Sequence, residues 1–298
     1  MTTTAFYGDD LAYVHHAGFS GFSRAAAPAI LHLLHAAGVH TGRIVELGCG
    51  SGVLARALTS TGYEVTGIDR SAAMLRIARR MAPRARFRLG PLQTVALPPC
   101  EAVISIGEAI GYLPAGAAPR RLLAPLFARV HRALPPGGLF VFDLLVDTGG
   151  RRRASYRDWH AGDDWVVLIE ARERAGTLTR DITVLRETGG GRYRRSRERH
   201  AARVFDAAAV VRSLRAAGFS VRTRRRYGPA APLLPRRLVF VARRGAARQS
   251  VDAASPTANR VRSLRRNSRP LAIAGEARNR SRRSLVASTS GRRPARST

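Results

Sequence analysis

A glycine-rich turn carries the clearest chemical signal in this chain of 298 residues. It is the run VELGCGSG at residues 45–52, with a short apolar strand pattern before it and a helical pattern after it. Glycines let the backbone turn sharply there and approach a ligand without a Cβ in the way. The free N–H groups and the dipole of the following helix favour a negatively charged group at such a turn.

An aspartate follows this turn at a spacing typical of nucleoside binding. Asp69 ends the second predicted strand, 17 residues after Gly52. A carboxylate in that place can accept hydrogen bonds from both hydroxyls of a ribose. A dinucleotide motif, G-x-G-x-x-G, would need a third glycine where Val53 stands, and the spacing is instead E-x-G-x-G-x-G.

Alternating strands and helices must position these residues. Apolar periodicity and helix stop signals predict helices at 21–38, 53–61, 72–81, 119–134 and 207–217. They predict strands at 43–46, 64–68, 86–89, 102–106, 139–144, 219–223 and 238–242. Asp206 is the predicted N-cap of the last helix. This alternation predicts βαβ units and a parallel sheet.

One segment interrupts the alternation. Residues 165–173, 177–187 and 193–204 predict three strands joined by glycine turns, which indicates an antiparallel insertion. Arginine alternates with other residues along 192–197, so one strand face is cationic. That face either meets an acidic group of an acceptor or lies outward in solvent.

These segments together resemble the class I S-adenosylmethionine-dependent methyltransferases, whose first motif has the form E-x-G-x-G-x-G. Residues 7–12, 67–75, 102–112 and 134–139 resemble further segments of the family, in consistent order over roughly residues 5–243. The resemblance implies a Rossmann-like α/β fold: a seven-stranded, mostly parallel sheet with helices on both faces, and the antiparallel insertion as a substrate lid.

The resemblance also divides the chain. The expected division is an N-terminal helical cap at 1–40, an S-adenosylmethionine-binding α/β core at 41–149, the antiparallel lid at 150–205, a closing helix and strand pair at 206–243 and an arginine-rich tail at 244–298. The tail contains no Phe, Tyr or Trp and has no sustained apolar period, which predicts disorder.

The family's cofactor, S-adenosyl-L-methionine, is expected to contact residues that match its motifs. These are Glu46, Gly48, Cys49, Gly50 and Gly52 around the methionine part, Asp69 at the ribose, Arg70 and Met74 beside the adenine, and Gly107 and Glu108 facing the methionine part and the acceptor. Pro91 stands where the family often has an acidic residue near the adenine, so that contact falls to the backbone of Leu92 or to Gln93.

A general base is needed only if the methyl acceptor arrives protonated. His15, His16 and His200 are the candidates, with His200 and His16 as the predicted catalytic residues and a structural role as the alternative. His200 lies on the last strand of the insertion, where we expect a partly exposed side chain. By resemblance, Tyr7, Tyr13 and Tyr112 are candidate wall residues.

The net charge of +31 says less about partners than its size suggests. All 51 basic residues are arginine and none is lysine, a pattern typical of compositional bias rather than of selection for phosphate binding. Residues 243–298 hold fifteen arginines against two acidic residues. Two interpretations of this segment therefore stay open: a tail that binds nucleic acid, and a solvated appendage.

Composition excludes several classes of protein. Cys49 and Cys100 cannot form a disulfide framework, and neither has a metal-ligand spacing, so we expect no metal site. The longest apolar run is too short to cross a bilayer, and the N-terminus does not read as a signal peptide, so we expect a cytoplasmic protein without membrane contact. The main hypothesis is methyl transfer to a small molecule; the alternatives are an RNA methyltransferase using the basic C-terminal half and a non-catalytic nucleic-acid-binding protein.

Overall fold

A computed structural model describes residues 6–112, 119–149 and 155–245. The helices are α1 (Asp9–Phe19), α2 (Gly21–Ala36), α3 (Val53–Ser60), α4 (Ala72–Met81), α5 (Pro119–Ala133) and α6 (Ala207–Ala216). The strands are β1 (Arg43–Leu47), β2 (Glu64–Asp69), β3 (Arg86–Leu89), β4 (Ala102–Ser105), β5 (Leu139–Leu145), β6 (Ser155–Ala161), β7 (Trp165–Arg174), β8 (Thr177–Gly189), β9 (Arg192–Arg203), β10 (Phe219–Arg224), β11 (Arg226–Gly228), β12 (Ala231–Pro232) and β13 (Arg237–Arg244). Every predicted strand and helix begins and ends within two residues of its observed bounds.

The main sheet has seven strands in the order β3-β2-β1-β4-β5-β13-β10. The first five are parallel to one another, and β13 runs antiparallel to both of its neighbours. The order reverses direction between β1 and β4, and ligands bind in α/β sheets at such a reversal, outside the carboxyl ends of the strands. The predicted fold class, a mostly parallel Rossmann-like sheet, is confirmed.

Both faces of this sheet are covered by helices. One apolar cluster joins the sheet to α5 and α6, and the other joins it to α2 and α3. All seven residues of β5 are buried, as expected for a central strand covered on both faces. The first cluster contains a stack of rings: Phe140 lies 4.5 Å from Phe142, which lies 5.0 Å from Phe240.

The insertion is a separate four-stranded antiparallel sheet in the order β6-β7-β8-β9, not the three strands predicted. The missed strand, β6, lies at the edge and is mostly exposed, so its sequence lacks the alternation of a half-buried strand. Trp165 and Ile182 of the insertion pack with Leu11 and Val14 of α1. The first helix, which was not predicted as a separate element, therefore supports the insertion.

Two further differences concern the C-terminal part. A short hairpin of β11 and β12 lies between the closing strands and was not predicted. The last strand extends to Arg244, one residue into the predicted tail, and residues 246–298 lie outside the described residues. The division of the chain into the five predicted segments stays a prediction. Within the described ranges, no helix has the length and apolar character needed to cross a bilayer.

We expect Phe142→Ala to lower the free energy of unfolding by about 3–5 kcal/mol, because the ring is fully buried between two others and its loss leaves a cavity. Urea denaturation measures the change. Leu168→Ala, at a lid side chain that is 42% exposed, is the control and should change stability by about 0.5 kcal/mol or less. Equal effects of the two substitutions would contradict the assignment of this stack to the core.

Candidate active site

The glycine turn is built against the end of β2. The backbone N–H groups of Gly48 and Cys49 both donate to the carbonyl oxygen of Ile68, at 2.7 and 3.1 Å. Gly50 has φ +51°, and a Cβ there would meet no atom within 4 Å, so its backbone borders open space. A Cβ on Gly52 would come within 3.0 Å of Ala78 on α4, so this glycine is required for helix packing. The turn thus combines close packing with an open ligand side.

Asp69 lies at the tip of β2, as predicted, and is buried. Its Oδ2 accepts from the N–H of Gly50 at 2.9 Å, and its Oδ1 accepts from the N–H of Ser71 at 2.8 Å. Burial raises its pKa, and these backbone bonds lower it in part. Each carboxylate oxygen keeps a second lone pair, so the group can still accept two hydroxyls.

Glu46 is a buried carboxyl group on β1, facing the same space. Its Oε2 is buried and has no hydrogen-bond partner among the described residues. Burial and the charge of Asp69 raise its pKa to about 8, so a nearby cation would be needed to keep it ionised at neutral pH. A buried carboxyl group with one unpartnered oxygen fits the amino group of a methionine moiety.

The residues expected near an adenine lie on two sides of the same space. Met74 is buried on α4, whereas Arg70 is exposed and its guanidinium lies 4.4 Å from the ring centre of Phe6. The carbonyl oxygen of Leu92 accepts from Arg129 at 2.7 Å, which leaves its N–H as the backbone group for a base. The side-chain nitrogen of Gln93 donates to the carbonyl oxygen of Tyr112 at 3.3 Å, so it is already engaged.

Cys49 is a buried, packed side chain within the turn. It lies in a small cluster with Leu75, Ala78 and Phe87. Burial and the charge of Glu46 raise the pKa of its thiol well above the usual value, which disfavours a nucleophilic thiolate. Its structural contribution is to fill the space beneath the glycines.

A buried ion cluster lies at the far end of the space, centred on Glu108. Arg180 of β8 donates to its Oε1 at 2.7 Å, and Arg237 of β13 donates to both of its carboxylate oxygens at 2.8 and 3.1 Å. Burial would raise the pKa of Glu108, but the two arginines hold it below its usual value. Glu108 is therefore an ionised link between the insertion and the main sheet.

The backbone before this cluster is held by Asp143 of β5. Its carboxylate accepts from the N–H groups of Gly107 and Glu108 at 2.7 and 2.9 Å and from the Tyr227 hydroxyl at 2.7 Å. Glu108 has φ +55°, a left-handed conformation that costs a non-glycine residue about 1–3 kcal/mol unless its surroundings hold it. The buried carboxylate of Asp143 thus holds the backbone of the loop after β4 in place.

His200 is fully buried on β9, and the expectation of a partly exposed side chain was wrong. Its Nε2 lies 2.8 Å from Oε2 of Glu198, and its Nδ1 has no hydrogen-bond partner among the described residues. The ring stacks on Phe6 with centres 4.3 Å apart. Strand pairing places His200 directly opposite Arg180, so both lie on the inner face of the insertion.

The other candidate bases and wall residues divide into two groups. His15 is buried near this site, and burial lowers its pKa to about 4, so it stays neutral at pH 7. His16 lies apart, 3.0 Å from the hydroxyl of Ser51, and does not line the space. Tyr7 and Tyr112 line it, whereas Tyr13 bonds to an aspartate of the β6–β7 turn instead.

A single cavity of about 500 Å³ joins these groups. One end is lined by the glycine turn, Glu46, Asp69, Met74 and Leu92. The other end is lined by the Glu108 cluster and by inner-face residues of the insertion: Tyr156, Asp158, His160, Val167, Ile169, Arg180, Ile182 and His200. The structure thus brings together the predicted base His200 and every predicted cofactor residue except Gly52, which packs behind the turn.

The arginine-rich strand 192–197 does not contribute to this cavity. Arg195 and Arg197 lie on the outer, exposed face, and Arg194 pairs with Asp10. The outward alternative is therefore the observed one. Within the described ranges, no group of three or more His, Cys, Asp or Glu side chains lies together as metal ligands do.

Sequence reasoning missed Arg180, Arg237, Asp143 and Glu198. Each is a charged residue within a strand that is wholly or partly buried, which is a recognisable signal, because charged side chains are rarely buried without a partner or a function. In an arginine-rich chain that signal is lost among many exposed arginines.

Glu46→Gln should flatten part of the pH dependence of stability. The carboxyl group of Glu46 keeps its proton up to about pH 8 in the folded protein, whereas its ordinary pKa is 4.5. Unfolding between pH 4.5 and 8 therefore releases this proton. The wild-type free energy of unfolding then falls as the pH rises, by at most about 1.4 kcal/mol per pH unit from this group. Urea denaturation from pH 5 to 8 measures the difference between variant and wild type. A difference that does not grow with pH, or an equal change in Glu170→Gln on the exposed lid face, would refute the raised pKa.

Comparisons with known proteins agree with this geometry. Residues 44–138 match a family model described as a methyltransferase domain. A malonyl-[acyl-carrier protein] O-methyltransferase of Serratia marcescens is 30% identical over 142 residues, which cover 43% of this chain and 52% of that protein. The chain thus spans about half the length of this curated relative.

Solved structures share the fold. An S-adenosylmethionine-dependent methyltransferase from Clostridium acetobutylicum superposes with a TM-score of 0.67 at 16% identity, covering 78% of this chain and 96% of that one. CalS10, an amino pentose methyltransferase from Micromonospora echinaspora solved with S-adenosylmethionine bound, superposes with a TM-score of 0.62 at 20% identity, covering 82% and 100%. The chain therefore has the fold of these methyltransferases, and its residues 44–138 match a methyltransferase domain.

Proposed function

We propose that this protein transfers a methyl group from S-adenosyl-L-methionine to a small-molecule acceptor. One observation carries the proposal: a single cavity connects the glycine turn and Asp69 to the base and ion cluster under the antiparallel insertion. A cofactor at one end and an acceptor at the other would share this space. The insertion then serves as the substrate lid.

The cofactor end fits the parts of S-adenosylmethionine one by one. Asp69 keeps acceptor capacity for two ribose hydroxyls, and the open side of Gly50 allows close approach of the methionine part. Glu46 supplies a buried carboxyl group for the amino group. Met74 and the N–H of Leu92 are left for the adenine.

When bound, this cofactor would supply a methyl group attached to a sulfonium sulfur. The sulfur is a good leaving group in an in-line displacement of the methyl group. The protein's own contribution is then mainly positioning, because holding two reactants in line removes much of the entropic barrier. Gly107 and Glu108 form the floor between the two ends, fixed by Asp143. Nδ1 of His200 can accept the proton of a hydroxyl or amine acceptor. His16 lies outside the cavity lining, and this mechanism does not use it.

The size of the cavity and the insertion that covers it favour a small acceptor over RNA. Covered by the lid sheet, it has the size of typical small-molecule sites, and Arg195, Arg197 and Arg199 of β9 lie on the opposite face of the lid. The relatives named above are described as acting on a carrier-bound malonyl group and an amino pentose. These observations support a small-molecule acceptor and favour neither the RNA nor the non-catalytic alternative; a cytoplasmic location stays a prediction.

Asp69→Asn should weaken binding of S-adenosylmethionine about 10- to 100-fold, because an amide offers one acceptor oxygen instead of two and a buried charged hydrogen bond is lost. Isothermal calorimetry measures the dissociation constant. Asp181→Asn, on the exposed face of the lid, is the matched control and should bind like wild type. Wild-type protein that does not bind, or an Asp69 variant that binds equally well, would overturn the proposal.

Cofactor binding should also release up to one proton at pH 7. The pKa of Glu46 near 8 keeps it mostly protonated in the free protein, and a cationic amino group beside it would ionise it. Calorimetry in buffers of different ionisation enthalpy counts the released protons. The Glu46→Gln variant has no proton to release there. Identical proton counts in both proteins would place the amino group elsewhere.

A further inference from the structure

Glu198 has a position that the proposed chemistry does not by itself require. It lies on the inner face of β9, two residues before His200, and its carboxylate contacts two backbone N–H groups and one ring nitrogen. Oε2 accepts from the N–H of Tyr7 at 2.7 Å and lies 2.8 Å from Nε2 of His200. Oε1 accepts from the N–H of Gly8 at 2.8 Å. One side chain of the lid thus contacts both the base and the N-terminal segment.

The contact with Glu198 fixes the state of the His200 ring. An ionised carboxylate can only accept, so Nε2 must carry the hydrogen. In neutral imidazole the other nitrogen, Nδ1, then has a bare lone pair, which is what a general base needs. Nδ1 is the ring nitrogen without a partner among the described residues.

The N-terminal segment, residues 6–8, crosses from the lid to the cofactor end of the cavity. The Phe6 ring stacks on His200 and is also covered by the guanidinium of Arg70, at 4.3 and 4.4 Å. The carbonyl oxygen of Tyr7 accepts from the hydroxyl of Ser71, two residues after Asp69, at 2.7 Å. Tyr7 has φ +50°, an uncommon left-handed conformation that these contacts on both sides maintain.

We propose that Glu198 is a positioning residue that couples closure of the N-terminal segment to presentation of the base, Nδ1 of His200. With the segment closed, the three N–H groups surround the carboxylate and hold it against Nε2. With the segment open, the carboxylate loses two of its three partners and the ring loses the stacked Phe6. The inference rests on the proposed methyl transfer, because it gives His200 its role.

The wild-type protein provides the first test. Long-range proton–nitrogen NMR of protein carrying ¹⁵N-labelled histidine, at pH 8, distinguishes the two neutral tautomers of each ring, and the His200→Gln variant assigns the His200 signals. We expect the Nε2–H tautomer. A dominant Nδ1–H tautomer in the wild type would overturn the proposal, whatever the behaviour of any variant.

The second test uses Glu198→Gln, with Glu170→Gln as the matched control on the outer lid face. An amide opposes one of the three N–H groups with its own NH₂, so we expect the Nε2–H preference to be lost. Hydrogen exchange at the amides of Tyr7 and Gly8 should accelerate about 10- to 100-fold. A variant that unfolds at the temperature of the wild type, yet keeps both the tautomer and the slow exchange, would overturn the coupling.

The same samples separate this proposal from the proposed function. Calorimetry with S-adenosylmethionine reports on the cofactor site, whereas the tautomer and exchange measurements need no ligand. Absent cofactor binding would refute the proposed function. Normal binding together with an unchanged tautomer in Glu198→Gln would refute the coupling alone.

Discussion

The structure depends on the pairing of one buried carboxylate, Glu108, with two arginines from different sheets. A buried guanidinium without a partner is costly, so Arg180 of the lid and Arg237 of the main sheet must both reach the same acid. That requirement fixes where the lid sits over the carboxyl ends of the central strands. The cavity beneath it follows from this constraint, because the lid is held at its base by charge and along α1 by apolar packing.

The two ends of the cavity contain different chemistry. The cofactor end is made of backbone and acids, with Gly50 open to a ligand and Asp69 and Glu46 offering oxygen acceptors. The acceptor end is made of aromatic rings, arginines and His200. A reaction that needs an in-line approach of two reactants benefits from such a division, since each end binds one reactant and excludes water from the contact between them.

Local sequence signals predicted the parts that local chemistry determines. The glycine turn, the aspartate at the end of β2 and the alternation of strands and helices are set by short-range backbone preferences, and the structure has them in the predicted places. The resemblance to a known family supplied the meaning of the turn. The edge strand β6 was missed because most of its residues are exposed and its sequence shows no apolar period.

The charged cluster could not be predicted in the same way. Glu108, Asp143, Arg180 and Arg237 are far apart in the sequence and meet only through the tertiary fold. The sequence makes His200 a candidate base, but its burial and its partner Glu198 depend on the N-terminal segment folding over it. Its catalytic role stays a prediction.

Transfer of a labelled methyl group tests the central claim most directly. The protein is incubated with methyl-tritiated S-adenosylmethionine and a metabolite extract, and in a parallel reaction with bulk RNA. The reaction products are then separated by molecular size. The account predicts label in low-molecular-mass products that chromatography separates from unreacted S-adenosylmethionine, and none in RNA. Label that enters RNA, or no transfer to any fraction by protein that binds the cofactor, would contradict a small-molecule methyltransferase.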